Sequence, residues 1–191
     1  DADARRCQKI VAELLDVARR DTTPREAVAP ADLVAAAVER ARRLVAEGAA
    51  IIDVGGESTR PGAVPVPLEE EMRRVLPVVE SLSSLAIPVS IDTRKPEVAS
   101  RALASGAAIV NDVGGLADPL MVEAIARAGA GAIALHMRGS PEDMQRDPRY
   151  DDLVGEVTAF LAAAALRAKI EEFKGSALSE ERKARLIRKR E

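Results

Sequence analysis

Four short apolar runs, at residues 50–54, 87–91, 108–110 and 132–135, recur along the chain at intervals far too long for hairpins. Between them lie segments with helical spacing of apolar residues: Leu68–Leu82, Pro96–Ala104 and Pro119–Ala128. Short continuous apolar runs suit strands buried on both faces, and strands alternating with helices of this length predict βαβ units around a parallel sheet. Crossovers between parallel strands are almost always right-handed, so such a sheet either curls toward a barrel or opens as a doubly wound sheet. The pattern alone leaves both open. Upstream, Ile10, Val11, Leu14, Leu15 and Ala18 predict a helix over residues 2–20, which Thr22-Thr23-Pro24 breaks. A second helix is predicted over residues 30–47, with Pro30 near its start and Gly48 as its stop. Downstream, a helix over residues 151–174 leads into a charged segment, 178–191. Residues 166–191 carry nine Lys and Arg against five Glu, the signature of a solvated helix end.

Composition narrows the function classes. With 191 residues and an apolar fraction of 47%, the chain can supply one sizeable core, so a single domain over residues 1–191 is expected. Two Phe, one Tyr and no Trp leave no stacking platform for single-stranded nucleic acid. A net charge of −3 argues against charge-driven nucleic-acid binding. No run approaches the length of a membrane span and no signal-like segment opens the sequence, so a soluble cytoplasmic protein without membrane or nucleic-acid partners is expected. Cys7 has no cysteine partner within the chain, which excludes an internal disulfide and a cysteine metal cluster.

The chemistry concentrates where the apolar runs end. Ile51-Ile52-Asp53 breaks into Val54-Gly55-Gly56-Glu57-Ser58-Thr59-Arg60-Pro61-Gly62, so a strand delivers a carboxylate and then a loop with two hydroxyls and a cation. Arg60 suits a substrate carboxylate, because its planar fork donates two parallel hydrogen bonds. Asp53 is open to two roles, orienting loop amides or a substrate nitrogen and capping the next turn. Val89-Ser90-Ile91-Asp92 delivers a second carboxylate before Pro96 starts a helix. Buried among strand ends, Asp92 needs a partner, since an unpaired buried charge is costly; a carboxylate favoured by the helix dipole is the plainer alternative. Arg94 and Lys95 are expected in solvent. Ile109-Val110-Asn111-Asp112 then offers an amide that both donates and accepts, followed by an aspartate and Gly114-Gly115. His136, the only histidine, follows the fourth run. It reads as a general base or as structural lining of a strand end.

These three segments, in this order, resemble dihydropteroate synthase, a pterin-binding (β/α)8 barrel family, over residues 45–160. The resemblance implies a parallel (β/α) barrel of TIM type, partial in this chain, with helical ends over residues 1–44 and 161–191 that are atypical for the family. It implies condensation of p-aminobenzoate with 6-hydroxymethyl-7,8-dihydropterin pyrophosphate to give 7,8-dihydropteroate and pyrophosphate, with Mg²⁺ as cofactor and a homodimer as the assembly. Carried residue by residue, Asp92 and Asn111 hold the pterin as the catalytic pair. Ser58, Thr59, Arg60 and Pro61 form the p-aminobenzoate loop, while Asp53, Asp112 and His136 complete the substrate-binding set. Asp112 is also suited to organising the Gly-Gly turn. The reaction needs no strong base, because an aromatic amine attacks an electrophilic methylene as pyrophosphate leaves, so His136 is expected as lining. The family's opening Asn-Val-Thr-Pro segment and its later Asp-Pro-Gly, Ser-Arg-Lys and Arg-x-His segments do not occur. No residue is therefore assigned as a metal ligand. A non-catalytic pterin-binding relative or an incomplete barrel is the alternative, and a pterin-binding methyltransferase barrel is a third reading that the 57–62 loop disfavours.

Overall fold

The computed structural model describes residues 29–175. The chain divides into two units, residues 1–33 and 34–191, and the first is represented by residues 29–33. The helix expected over residues 2–20, Cys7, the Thr22-Thr23-Pro24 break and the charged segment 178–191 lie outside the described residues. The described elements are α1 (Pro30–Ala46), β1 (Ile52–Gly55), α2 (Leu68–Leu82), β2 (Val89–Asp92), α3 (Pro96–Ala104), β3 (Ile109–Asp112), α4 (Pro119–Ala128), β4 (Gly131–Ala134) and α5 (Leu153–Gly175).

The helices end where local chemistry stops them. Pro96 and Pro119 each open a helix at a position whose N–H would be unpaired anyway. The Asp118 side chain caps α4 by accepting from Leu120 N at 2.9 Å, and Gly129 closes it in the left-handed region at φ 62°. The strands run past the apolar residues that announce three of them: β1 reaches Gly55, β2 reaches Asp92 and β3 reaches Asp112. Apolar runs mark the side chains that are buried, whereas a ladder pairs backbones and carries polar side chains with it.

All four strands are parallel and lie in the order β1-β2-β3-β4. A doubly wound sheet reverses its strand order at a switch point, whereas a barrel adds each new strand on the same side of the last. The choice left open by periodicity is thereby settled: this is the winding of a (β/α) barrel, with four strands of the eight that a closed one contains. Side chains alternate across the sheet. Ile52, Val89, Ile91 and Val110 are buried, as are Val75, Val79 and Leu82 of α2, Val98, Ala99 and Ala102 of α3, and Met121, Val122 and Ile125 of α4.

The opposite face is polar at its centre and apolar toward its edges. The register places Asp53 beside Ser90, Ser90 beside Ile109, Asp92 beside Asn111 and Asn111 beside Ile133. Ile51, Ile133 and Leu135 stay 43%, 40% and 39% exposed. β1 and β4 are the two edges of the sheet. No described helix is long and apolar enough to cross a membrane.

Candidate active site

Asp92 ends β2 and Asn111 lies one residue before the end of β3, whereas Asp53, expected at a strand end, is the second residue of β1, which runs on to Gly55. Asn111 Nδ2 donates to Asp53 Oδ2 at 2.9 Å, so β1 and β3 are tied across the intervening strand. That bond uses the donor half of the amide. Asn111 Oδ1 is buried with no hydrogen-bond partner, and so is the hydroxyl of Ser90. Unpartnered buried polar atoms are costly, and a ligand carrying donors would satisfy them. Asp92 pairs in register with Gly55 and Asn111, and its pKa is pushed up to about 6. Burial is the main cause, followed by the charges of Asp53, Glu71, Asp112 and Glu57.

Asp112 follows Asn111 and so faces the other way. Its Oδ1 accepts from Gly114 N at 2.7 Å and its Oδ2 from Leu116 N at 2.8 Å. Of the two roles open to it, these contacts serve the turn. The turn needs such support, because Gly115 and Leu116 sit at φ 69° and 57°, a left-handed conformation rare for leucine. From α5, Arg167 Nε donates to Leu116 O at 2.9 Å and Nη2 to Gly115 O at 3.1 Å, fixing the same turn through its carbonyls.

The loop after β1 is held at its start, middle and end. Arg74 Nη1 donates to Gly56 O at 3.0 Å. A Cβ on Gly56 would lie 2.8 Å from Val75 Cγ1 and 3.2 Å from Glu71 O, so only glycine lets the loop lie this close to α2. Pro61 and Gly62 form the tip, where Ala63 N donates to Arg60 O at 3.0 Å and Gly62 adopts φ 77°, the geometry of a type II turn. Gly62 N also donates to Pro141 O at 2.7 Å, which ties the tip to the segment after β4. Ser58 Oγ accepts from Arg60 N at 3.4 Å, Thr59 is half-buried, and Arg60 is exposed. Among the described residues Arg60 makes no ion pair.

Behind this loop lies a cluster that sequence reasoning missed. Glu57 Oε1 pairs with Arg94 Nη2 at 2.7 Å, and its Oε2 accepts from Lys95 Nζ at 2.7 Å and from Val66 N at 2.8 Å. Lys95 Nζ also pairs with Glu71, whose Oε1 accepts from Thr93 Oγ1 at 2.6 Å. The Glu57 and Glu71 side chains are only 5% and 1% exposed. Burial opposes ionisation of Glu57, but Lys95, Arg94 and the Val66 amide together hold its pKa down to about 2. Lys95 is raised for the reciprocal reason, its two carboxylates outweighing burial. The expectation that Arg94 and Lys95 are solvated is therefore corrected: two buried carboxylates require them as counter-charges. A signal was present. Leu68, Met72, Val75, Val79 and Leu82 define the apolar face of α2, and Glu71 falls on that face.

His136 meets aromatic rings. Its ring lies 4.8 Å from that of Phe160 in an edge-on arrangement and 5.8 Å from Tyr150, while Arg138 stacks over Tyr150 at 4.9 Å. These contacts bind the segment after β4 to α5. Among the described residues, no group of three or more His, Cys, Asp or Glu is arranged to hold a metal ion.

Polar side chains gathered on one face of sequentially ordered parallel strands, with a cation on an adjoining loop, define an α/β barrel-type protein. The pterin binding enzyme family matches residues 22–178. The chain belongs to that family. It is 44% identical over 134 residues to the dihydropteroate synthase of Escherichia coli, covering 70% of this chain and 48% of that protein. It is also similar to the Thermus thermophilus dihydropteroate synthase solved with 4-aminobenzoate, at 55% identity and a TM-score of 0.66, over 71% of this chain and 52% of that one. The Burkholderia cenocepacia enzyme solved with 7,8-dihydropteroate aligns at 48% identity and a TM-score of 0.67, over 72% of this chain and 50% of that one. The chain spans about half the length of these relatives.

Proposed function

We propose that this chain carries the substrate floor and p-aminobenzoate loop of a dihydropteroate synthase. The reaction joins the aromatic amine of p-aminobenzoate to the methylene of 6-hydroxymethyl-7,8-dihydropterin pyrophosphate. The new C–N bond forms as the C–O bond to pyrophosphate breaks, and the amine releases a proton. One observation carries the reading: half-buried Asp92 pairs in register with Asn111, Asn111 Oδ1 and Ser90 Oγ are buried there without a hydrogen-bond partner, and the loop after β1 carries an exposed Arg60 that makes no ion pair among the described residues. A pterin ring presents an edge of N–H and NH₂ donors, and ionised Asp92 and Asn111 Oδ1 are acceptors for such an edge. Thr59 and Arg60 suit the carboxylate of p-aminobenzoate, with Ser58 and Pro61 shaping the loop around them. The relatives solved with 4-aminobenzoate and with 7,8-dihydropteroate support this substrate pair.

Mg²⁺ enters this reading with the pyrophosphate of the substrate, where it neutralises charge on the leaving group. Among the described residues, no group of three or more His, Cys, Asp or Glu is arranged to hold it. A cytoplasmic location and a homodimer complete the proposal.

The test is dihydropteroate formation by the purified chain with both substrates and Mg²⁺, followed over time. Turnover that Asp92→Ala abolishes supports synthase activity. Binding of the pterin without product favours the second reading, a pterin-binding relative. A folded chain that binds neither substrate overturns the proposal.

A further inference from the structure

The ion cluster behind the substrate loop does more than neutralise charge. Glu57 is the first residue after the Gly55-Gly56 break, and its carboxylate accepts from Val66 N nine residues later, closing the loop on itself. The same carboxylate binds Arg94 and Lys95, the residues that link β2 to α3, two and three positions after Asp92. Lys95 passes the connection on to Glu71 of α2, and Thr93 completes it by donating to Glu71 and accepting from Lys95 N at 3.2 Å. The loop bearing Thr59 and Arg60 is thus fastened at both ends to the segment that carries Asp92. Every member of the cluster has a partner, so none is available to substrate. Two cations balance two carboxylates, which leaves Arg60 as the uncommitted charge of the loop.

We propose that Glu57 is a positioning residue that registers the p-aminobenzoate loop against the pterin floor. It acts through Thr59 and Arg60, not on the reacting atoms, and it rests on the functional reading above. A loop released from Glu57 keeps its cation but not the placement of that cation, and misplacement of an orienting group by about 1 Å can lower rate by about 10²-fold. The clamp therefore governs use of p-aminobenzoate selectively, while the pterin contacts on β2 and β3 persist.

Glu57→Gln removes the charge and retains an acceptor for Val66 N. Arg94→Gln is the milder companion, removing one of the two cations while Lys95 stays. Two measurements are made on wild type and both variants: amide hydrogen exchange over residues 58–66, and calorimetric titration with p-aminobenzoate and, separately, with the dihydropterin pyrophosphate. Exchange at 58–66 is expected to accelerate about 10-fold in Glu57→Gln, less in Arg94→Gln, with strand amides unchanged. The p-aminobenzoate Kd is expected to rise about 10-fold while the pterin Kd stays within about twofold. Unchanged exchange in both variants overturns the proposal, and so does equal weakening of both ligands, which marks a general structural role. Wild type that binds neither ligand overturns the functional reading and, with it, the assignment of the clamp to p-aminobenzoate. Wild type that binds both, with variants indistinguishable from it, overturns the clamp alone.

Discussion

Two groups of acids sit at the same end of the sheet and have opposite fates. Glu57 and Glu71 are almost wholly enclosed, yet each is matched by cations and donors, and the pKa of Glu57 is held down to about 2. Asp53 and Asp92 are more open, yet among the described residues the Asn111 amide on Asp53 is the only side-chain partner of either, and the Asp92 pKa climbs to about 6. Burial alone therefore does not decide how a carboxylate behaves here; the presence of a counter-charge does. One group is finished and holds the loop. The other is left without counter-charges, and in the proposed function it is the group that meets the ligand's donors.

This contrast is broken most directly at Asp92. Asp92→Asn keeps the shape of the floor and removes the charge, so turnover is expected to fall by about 10²-fold or more, measured as dihydropteroate formed per minute. Retained turnover would move the acceptor role elsewhere. The matching change in the finished group is Lys95→Met. It leaves Glu57 with Arg94 alone and Glu71 with no cation, and breaking a buried pair in this way costs about 3 kcal/mol. Denaturant unfolding at pH 7 checks it, and a loss below about 1 kcal/mol would show that the cluster is solvated in practice. Gly56→Ala probes the approach that brings the loop to the cluster. The added methyl meets Val75 Cγ1 at 2.8 Å and the Glu71 backbone at 3.2 Å, so a loss of about 2 kcal/mol is expected from overpacking, with exchange at residues 58–66 accelerated.

The two groups were not equally legible in the sequence. Asp53, Asp92 and Asn111 each follow an apolar run, which predicts strand ends; the structure gathers them on one face, with Asp92 and Asn111 at or next to their strand ends but Asp53 second in β1, because the ladder continues to Gly55. α2, α3 and α4 occupy the residues that their apolar spacing predicts, because proline starts and a glycine stop agree with that spacing. Strand order was not legible, since a short buried strand carries no mark of its neighbours; the sequential order β1-β2-β3-β4 had to come from the structure. The sequence leaves Arg94 and Lys95 as solvated charges and gives Glu57 no partner, because their pairings span 37 and 38 residues and leave no local period. Glu71 alone betrayed the cluster, as an acid on an apolar face. His136 showed the reverse error of emphasis. Its rarity drew attention as a titrating group, while the rings of Tyr150 and Phe160 decide its surroundings.

The smallest expected effect is also the sharpest, because its sign differs between the two groups. Asp92 has a folded-state pKa above its ordinary value, so the fold disfavours its ionised form, and that penalty is fully present above about pH 6. As pH falls through 6 the carboxyl takes up a proton and the penalty disappears. Asp92→Asn is therefore expected to stabilise the chain at pH 8, by about 1 kcal/mol once screening by solvent is allowed for, and to lose this advantage by pH 4. Glu57 runs the other way: its pKa is depressed, so its contribution is whole above the ordinary value of 4.5 and is lost as pH falls toward about 2. Unfolding midpoints of wild type, Asp92→Asn and Glu57→Gln across pH 3 to 8 separate the two. A stabilisation in Asp92→Asn that persists unchanged at pH 4 would mean the gain comes from packing, and that Asp92 is not the strained member of the pair.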